Sequence, residues 1–558
     1  MARTPLFDRL ARAAGIAWYC ERRKISTAEG LERVAEAEAK EAARRLSRRE
    51  ILAGAGKVAA AAALAPLAGA TAARAAVGLD VGIVGAGLAG LSCTDRLAKV
   101  GTSATLYEGG SRAGGRCWSL SQAATGTGGV FFPNQVCERG GEFIDNLHKT
   151  MLGYANQFGL HREDLFDNPG EVFYHVNGSL YPESYIVELY RKFVQVIQDD
   201  LRLSSGAPTF EAFNDHDELL DNTSIADYFD GQNSADVAAD PILKLALEEA
   251  YRGEYGLDCE EQSVLNFILF IKASRRSKLA LFGVASNERF HIIKGNGKIA
   301  DGLAQLYSAQ IQKGMRLVRV RKTSAGKIEF TFKDGTKTVT PPAHDFGVIT
   351  IPFSVLRGVE LDASLEIPAE QLTCINELGY GTNVKTMIGF NQRPWAAQGS
   401  QGTVYVAGNP NVQIMFETNP IVPNSAANPL TASAIWTDYR SGAQGRDLNK
   451  LKLQTQVART LAALDQAVFP GAGIQAAASL NASGGYVAHR QHWPSDPLSK
   501  GSYTCYKVGQ FTKFEGLIGK PVGNLFFAGE HANSFHIWQG FMEGACLSGF
   551  DAANAILK

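Results

Sequence analysis

Hydrophobic and polar positions change character near residue 77. Beyond it, Asp80-Val81-Gly82-Ile83-Val84 is a short β-branched run that predicts a buried strand, and Gly85-Ala86-Gly87-Leu88-Ala89-Gly90 follows directly. Leu91, Leu97 and Val100 then recur at helical spacing up to Gly101. Ala104-Thr105-Leu106-Tyr107 predicts a second strand that ends in Glu108. Helical patterning returns over 186–203 and 242–251. Phe346-Gly347-Val348-Ile349-Thr350-Ile351-Pro352 and Asn524-Leu525-Phe526-Phe527 predict two further buried strands, and the Pro/Ala/Asn-rich stretch 419–432 predicts a surface loop.

The first 76 residues read differently. Mixed charge is dense over 1–46, with 31–46 patterned as a solvated helix. Ser47-Arg48-Arg49-Glu50-Ile51-Leu52 then leads into an Ala/Gly/Leu run over 53–70, closed by Ala73-Arg74-Ala75. An arginine pair before a weakly apolar run and an A-x-A site resembles a twin-arginine export signal, although 47 residues before the pair is long for one. The expectation is export to the periplasm or beyond. The alternative is a cytoplasmic protein that keeps this segment as an Ala-rich arm. The run contains Lys57 and consists mostly of Ala and Gly, which argues against a stable membrane span.

Composition narrows the class. The 558 residues carry 55 Lys+Arg against 56 Asp+Glu, so the basic excess of a general nucleic-acid binder is missing. The eight cysteines are scattered without a CxxC pair, which argues against a zinc site or a disulfide framework, and no metal is expected.

The strand–glycine turn–helix unit is a dinucleotide site. Gly85 makes the tight turn, Gly87 lets main chain approach a pyrophosphate, and Gly90 lets helix pack on strand. Ala86, Leu88 and Ala89 lie between them, where helix N-terminal N–H groups meet phosphate. Glu108, 23 residues past Gly85, stands where an acid accepts ribose hydroxyls, which disfavours a 2′-phosphate.

The next segment, Glu108-Gly109-Gly110-Ser111-Arg112-Ala113-Gly114-Gly115-Arg116, resembles the E-x-x-x-R-x-G-G-R signature of the flavin-containing amine oxidases. Here Arg112 and Arg116 suit a pyrophosphate, and the Gly114-Gly115 pair a close main-chain approach. The resemblance continues in order along the chain. Arg139-Gly140-Gly141-Glu142-Phe143-Ile144 is similar to the family's second glycine pair, beside the flavin ring. Gly381-Thr382-Asn383-Val384-Lys385 with Arg393-Pro394-Trp395 is similar to its lysine strand. Ala528-Gly529-Glu530 resembles its F-A-G-E motif, and Trp538-Gln539-Gly540-Phe541-Met542-Glu543-Gly544-Ala545 the start of its last helix.

This resemblance implies FAD, bound non-covalently because Ser502 stands where covalent members carry a cysteine. It implies that Lys385 serves the reaction of reduced flavin with oxygen. Trp493, Tyr503 and Phe541 fall in the region of the family's aromatic cage, and Trp538, at the start of the last-helix motif, is a further candidate catalytic residue. An NAD-linked dehydrogenase would have no use for the Gly-Gly-Arg, lysine and Gly-Glu elements.

The implied activity is oxidative deamination by hydride transfer from the carbon bearing nitrogen, with oxygen as acceptor and hydrogen peroxide, ammonia and a carbonyl compound as products. The resemblance is greatest to bacterial L-amino-acid oxidases. Glu142 and Asp145 suggest basic substrates, L-arginine or L-lysine. A mono- or polyamine oxidase is the alternative, and an amino-acid dehydrogenase, a monooxygenase or a non-catalytic flavin protein are remoter ones. Neither the residue that would bind a substrate carboxylate nor the oligomeric state, a homo-oligomer included, follows from spacing. The expected fold is α/β, a discontinuous Rossmann-like FAD domain (77–150, 285–350, 500–558) with an α+β substrate domain (151–284, 351–499), preceded by the 1–76 arm.

Overall fold

The computed structural model describes residues 16–34, 78–121, 135–164, 171–181, 183–271, 289–417, 433–533 and 538–558. The Arg48-Arg49 pair, the Ala73-Arg74-Ala75 site and the 419–432 stretch lie outside these residues. Within them, no helix is long and apolar enough to cross a membrane.

In chain order the first unit is β1 (Val81–Val84), α1 (Leu88–Ala98) and β2 (Ala104–Glu108). An antiparallel pair, β3 (Ser119–Ser121) and β4 (Val136–Glu138), follows, then α2 (Lys149–Gln157). The chain then leaves through β5 (Glu171–Val176), β6 (Ser179–Leu180), α3 (Glu183–Leu203) and α4 (Pro241–Tyr255). It returns to add β7 (Ile311–Lys313) and β8 (Phe346–Ile349). A second excursion gives β9 (Val384–Phe390), β10 (Ser400–Ala407), β11 (Ile414–Glu417), β12 (Ala434–Arg440) and β13 (Ala488–His492). The end returns as β14 (Leu525–Phe527) and α5 (Met542–Ile556).

Two sheets organise these excursions. One is five-stranded and parallel, ordered β14-β8-β1-β2-β7. Its four β1 residues are all buried, as a β-branched run covered on both faces must be. The order reverses at β1, between β8 and β2, where an open parallel sheet leaves a crevice at its carboxyl edge. The other sheet has seven strands, ordered β13-β9-β12-β11-β10-β5-β6, antiparallel except where β10 meets β5. A smaller four-stranded sheet runs from Arg316 to Leu361, past the 350 boundary expected from sequence.

Both helical expectations hold, with α3 and α4 longer than the patterned stretches. Asp240 caps α4 through the Ile242 N–H at 2.9 Å with Pro241 in its first turn, and left-handed Gly256 ends it. α5 crosses α1, and Gly549 makes the crossing close: a Cβ there would stand 2.2 Å from the Ala89 carbonyl oxygen. Residues 16–34, helical over 16–23 and 27–34, dock on α3. Ile16, Ala17, Cys20 and Val34 are buried there, and Arg191 Nε donates to Glu21 at 2.6 Å.

Candidate active site

A cavity of about 450 Å³ opens along the carboxyl edge of the parallel sheet. At one end the chain turns from β1 into α1. Gly85 has φ +104°, a left-handed region that favours glycine, and a Cβ on Gly90 would lie 2.0 Å from the Gly85 carbonyl oxygen. Gly87 is different. A Cβ built there meets only the Gly115 Cα, at 3.9 Å, so the space beside it belongs to the cavity. Gly114 donates its N–H to the Ala86 carbonyl at 2.7 Å, which seats the second glycine segment against the first. α1 begins with no side-chain cap and no acid in its first turn. The N-terminal N–H groups of a helix lack intrahelical acceptors and carry its positive dipole end, so an anion is stabilised in front of Gly87, Leu88 and Ala89.

Glu108 ends β2 on the cavity wall. Its two carboxylate oxygens accept from the Ala86 N–H at 2.9 Å and the Gly110 N–H at 2.7 Å. Burial pushes this carboxyl up while the two amides pull it down. Arg112, also on the wall, bonds to the Ala113 and Gly115 carbonyls and stacks on Trp118 at 3.8 Å; Arg139 stacks on the same indole at 3.8 Å. Burial, with Arg139 adding to it, brings the Arg112 guanidinium down to about 10 against the opposing pull of Glu108.

Arg116 also lies on the wall, where its Nη1 donates to Glu530 at 2.8 Å and to the Ser502 carbonyl at 2.6 Å. Glu530 in turn accepts the Gly540 N–H at 2.8 Å and the Thr504 hydroxyl at 3.1 Å. The pair therefore fixes the approach to α5, which starts without a side-chain cap and whose first residue Met542, with the preceding Phe541, faces the cavity. Glu543 faces away: its carboxylate accepts the Thr150 and Met151 N–H groups at 2.8 and 2.9 Å and clamps the start of α2.

At the other end lie Glu142, Phe143 and Lys385. Gly140 and Gly141 lead into this end, and a Cβ on Gly140 would sit 1.8 Å from the Arg116 carbonyl oxygen. Trp493 closes over Gly140 and donates its indole N–H to the Arg139 carbonyl at 2.9 Å. Lys385, in the fully buried strand β9, donates to Glu142 and the Gly140 carbonyl, both at 2.6 Å. Burial pushes the Glu142 carboxyl up and Lys385 opposes it. Rings line the rest: Phe143 and Phe416 are 5.7 Å apart, Phe416 and Tyr439 6.0 Å, and the Tyr439 and Tyr503 hydroxyls 2.7 Å. Phe541 closes this end, packed edge-on against His148 at 5.4 Å.

Of the residues singled out from sequence, three stand outside the cavity wall. Ala86 acts through its N–H on Glu108, Gly90 serves helix packing, and Trp538 stands behind Phe541, packed on His148 at 5.3 Å. The remainder, including Gly109, Gly529 and Gly540, lie on the wall. Phe416 and Tyr439 escape sequence reasoning because every position of β12, and the first three of β11, is buried, so nothing in the pattern distinguishes a cavity ring from a core ring.

Glycine cradle, helix terminus, acid and buried cation together define a dinucleotide-binding oxidoreductase. The family model for flavin containing amine oxidoreductases matches residues 88–557, and the chain belongs to that family. It is 23% identical over 483 residues to the L-amino-acid oxidase of Siganus canaliculatus, covering 85% of each. It is 19% identical over 493 residues to flavin-containing amine oxidase B of Rattus norvegicus, covering 86% of each. Among solved structures, putrescine oxidase bound to putrescine shares the fold with a TM-score of 0.68 at 18% identity, over 86% of this chain and 98% of that one.

FAD is the cofactor this family implies, and the residues present fit it. Glu108 suits the ribose, Arg112 and the α1 terminus the pyrophosphate, and the Gly140-Gly141 segment with the start of α5 the ring. No thiol stands at Ser502, whose hydroxyl donates to Asn383 at 2.5 Å. The cavity thiol, Cys117, is held protonated by burial.

Proposed function

We propose that the chain oxidises a primary amine that lacks a free α-carboxylate, at the carbon bearing nitrogen, with oxygen as the final acceptor. The observation that carries this reading is the charge state of the ring-lined end. Among the described residues there, the cation is Lys385, and it is already neutralised by Glu142 at 2.6 Å. A substrate carboxylate taken out of water calls for its own cation, best a bidentate arginine. Aromatic walls suit an amine with an apolar or cationic body instead.

When bound, FAD supplies the two-electron acceptor and the onward reaction with oxygen. The protein's part is to position and to keep dry. Phe143, Phe416, Tyr439 and Phe541 exclude water from the reacting carbon, which strengthens every polar contact made there. Tyr503 donates to the Gly253 carbonyl of α4 at 2.9 Å, so its ring is held in place rather than free to turn. Lys385 is tethered at the wall by three acceptors, Glu142 and the carbonyls of Gly140 and Glu138.

A second reading, an L-amino-acid oxidase favouring basic substrates, draws support from the names of relatives such as the Siganus canaliculatus enzyme. Anaerobic bleaching of the bound flavin separates the two with substrate pairs that differ by one carboxylate. Bleaching by agmatine or cadaverine but not by L-arginine or L-lysine supports the first reading, and the reverse pattern the second.

A further inference from the structure

Behind Lys385 lies a cluster of ionisable side chains that the reading above does not use. His291, 2% exposed, sits on the strand Phe290–Ile292, which pairs antiparallel with Arg162–Asp164 and brings His291 opposite Glu163. Its Nδ1 stands 3.6 Å from Glu163 Oε2, and its Nε2 stands 3.4 Å from Glu138 Oε1. Glu138, fully buried, also accepts the Asn296 N–H at 2.7 Å and the Ser119 hydroxyl, while its carbonyl accepts from Lys385 at 3.3 Å. Glu142 completes the group through its pair with Lys385.

The arrangement constrains the ring. A neutral imidazole carries one N–H, so with a carboxylate before each nitrogen one of them would face a bare lone pair. Both carboxylates are answered only by the imidazolium. The charge count agrees: the buried Glu138 and Glu142 and the partly buried Glu163 bring three negative charges, and Lys385 alone would leave two of them uncompensated. The neighbouring Arg289 and Asp164 neutralise each other, as do Arg393 and Glu417.

We infer that His291 is a positioning residue, a standing imidazolium that keeps Glu142 ionised and so keeps Lys385 tethered at the cavity wall. Burial alone would lower the His291 ring, yet Glu138 and Glu163 hold it up near 10. On Glu142, His291 is the next opponent of burial after Lys385. The inference rests on Lys385 serving the reaction with oxygen, and the test keeps the two ideas apart.

The test uses the holoenzyme. In His291→Asn, Glu142 takes up a proton at a higher pH than in the wild type, so infrared spectra recorded at falling pH gain a carboxylic-acid carbonyl band where the wild type still lacks it and His291→Asn/Glu142→Gln does not show it. Reoxidation of dithionite-reduced enzyme by oxygen, which needs no amine, has its acid limb moved up by about one pH unit, the low end of a neighbouring charge's effect. His291→Lys restores the limb. Glu163→Gln removes a negative charge from the same group and moves the limb the other way, which supplies a signed test should His291→Asn fail to fold. Absence of the new band, or equal profiles for His291→Asn, His291→Lys and Glu163→Gln, overturns the inference. Unchanged reoxidation in Lys385→Met together with the new band in His291→Asn removes the role of Lys385 and leaves the charge assignment standing.

Discussion

Glu543→Gln probes how the last helix is tied to the rest of the site. The carboxylate is 3% exposed and accepts two main-chain N–H groups at the start of α2, Thr150 at 2.8 Å and Met151 at 2.9 Å. A hydrogen bond to a charged acceptor contributes about 1.5–3 kcal/mol. Glutamine keeps one acceptor oxygen and turns an NH2 group toward the other amide, so one bond and the charge are lost together. A loss of about 2–4 kcal/mol follows. The assay is the apparent unfolding temperature of the holoenzyme, measured beside the FAD dissociation constant. Stability should fall by several degrees while FAD affinity changes little, because Glu543 points away from the cavity. Unchanged stability with weakened FAD binding would refute the clamp and return Glu543 to the cofactor.

Other substitutions address separate parts of the site. Gly140→Ala puts a Cβ 1.8 Å from the Arg116 carbonyl oxygen, so main chain must move beside the ring site, and FAD binding should fall at least tenfold by flavin fluorescence titration. Tyr503→Phe removes the bonds to Tyr439 and the Gly253 carbonyl, frees the ring, and should slow anaerobic flavin reduction while leaving the visible spectrum intact. Lys385→Met leaves Glu142 buried without its cation, so its folded-state value, already above the unfolded ~4.3, rises further. A carboxyl raised in this way costs stability increasingly as pH climbs from its unfolded value to its folded one. The variant's deficit, read from melting temperatures, should therefore widen by at most about 1.4 kcal/mol per pH unit on going from pH 5 to 8.

Four strands of the parallel sheet were legible in sequence because they are buried apolar runs with turns punctuated by glycine, whereas the exposed edge strand Ile311–Lys313 was not. Val81–Val84 and Phe346–Ile349 fall where the apolar runs put them, paired residue for residue. The glycine positions were legible too, since turn geometry and close approach leave few substitutes. Partnerships across hundreds of residues were not. The pairing of Arg116 with Glu530, 414 positions away, and the docking of α2 on Glu543 have no signal in the local sequence. Phe416 and Tyr439 belong to strands that are buried almost throughout, so periodicity carried no sign of which face met the cavity.

The central claim is that the glycine-lined cavity holds one non-covalent flavin. The most direct measurement is the visible spectrum of the purified protein, followed by acid precipitation and analysis of the supernatant. Flavin absorbance that passes wholly into the supernatant as FAD, about one per chain, is the predicted result. A colourless protein that takes up no FAD, or colour that stays with the precipitate, would contradict it.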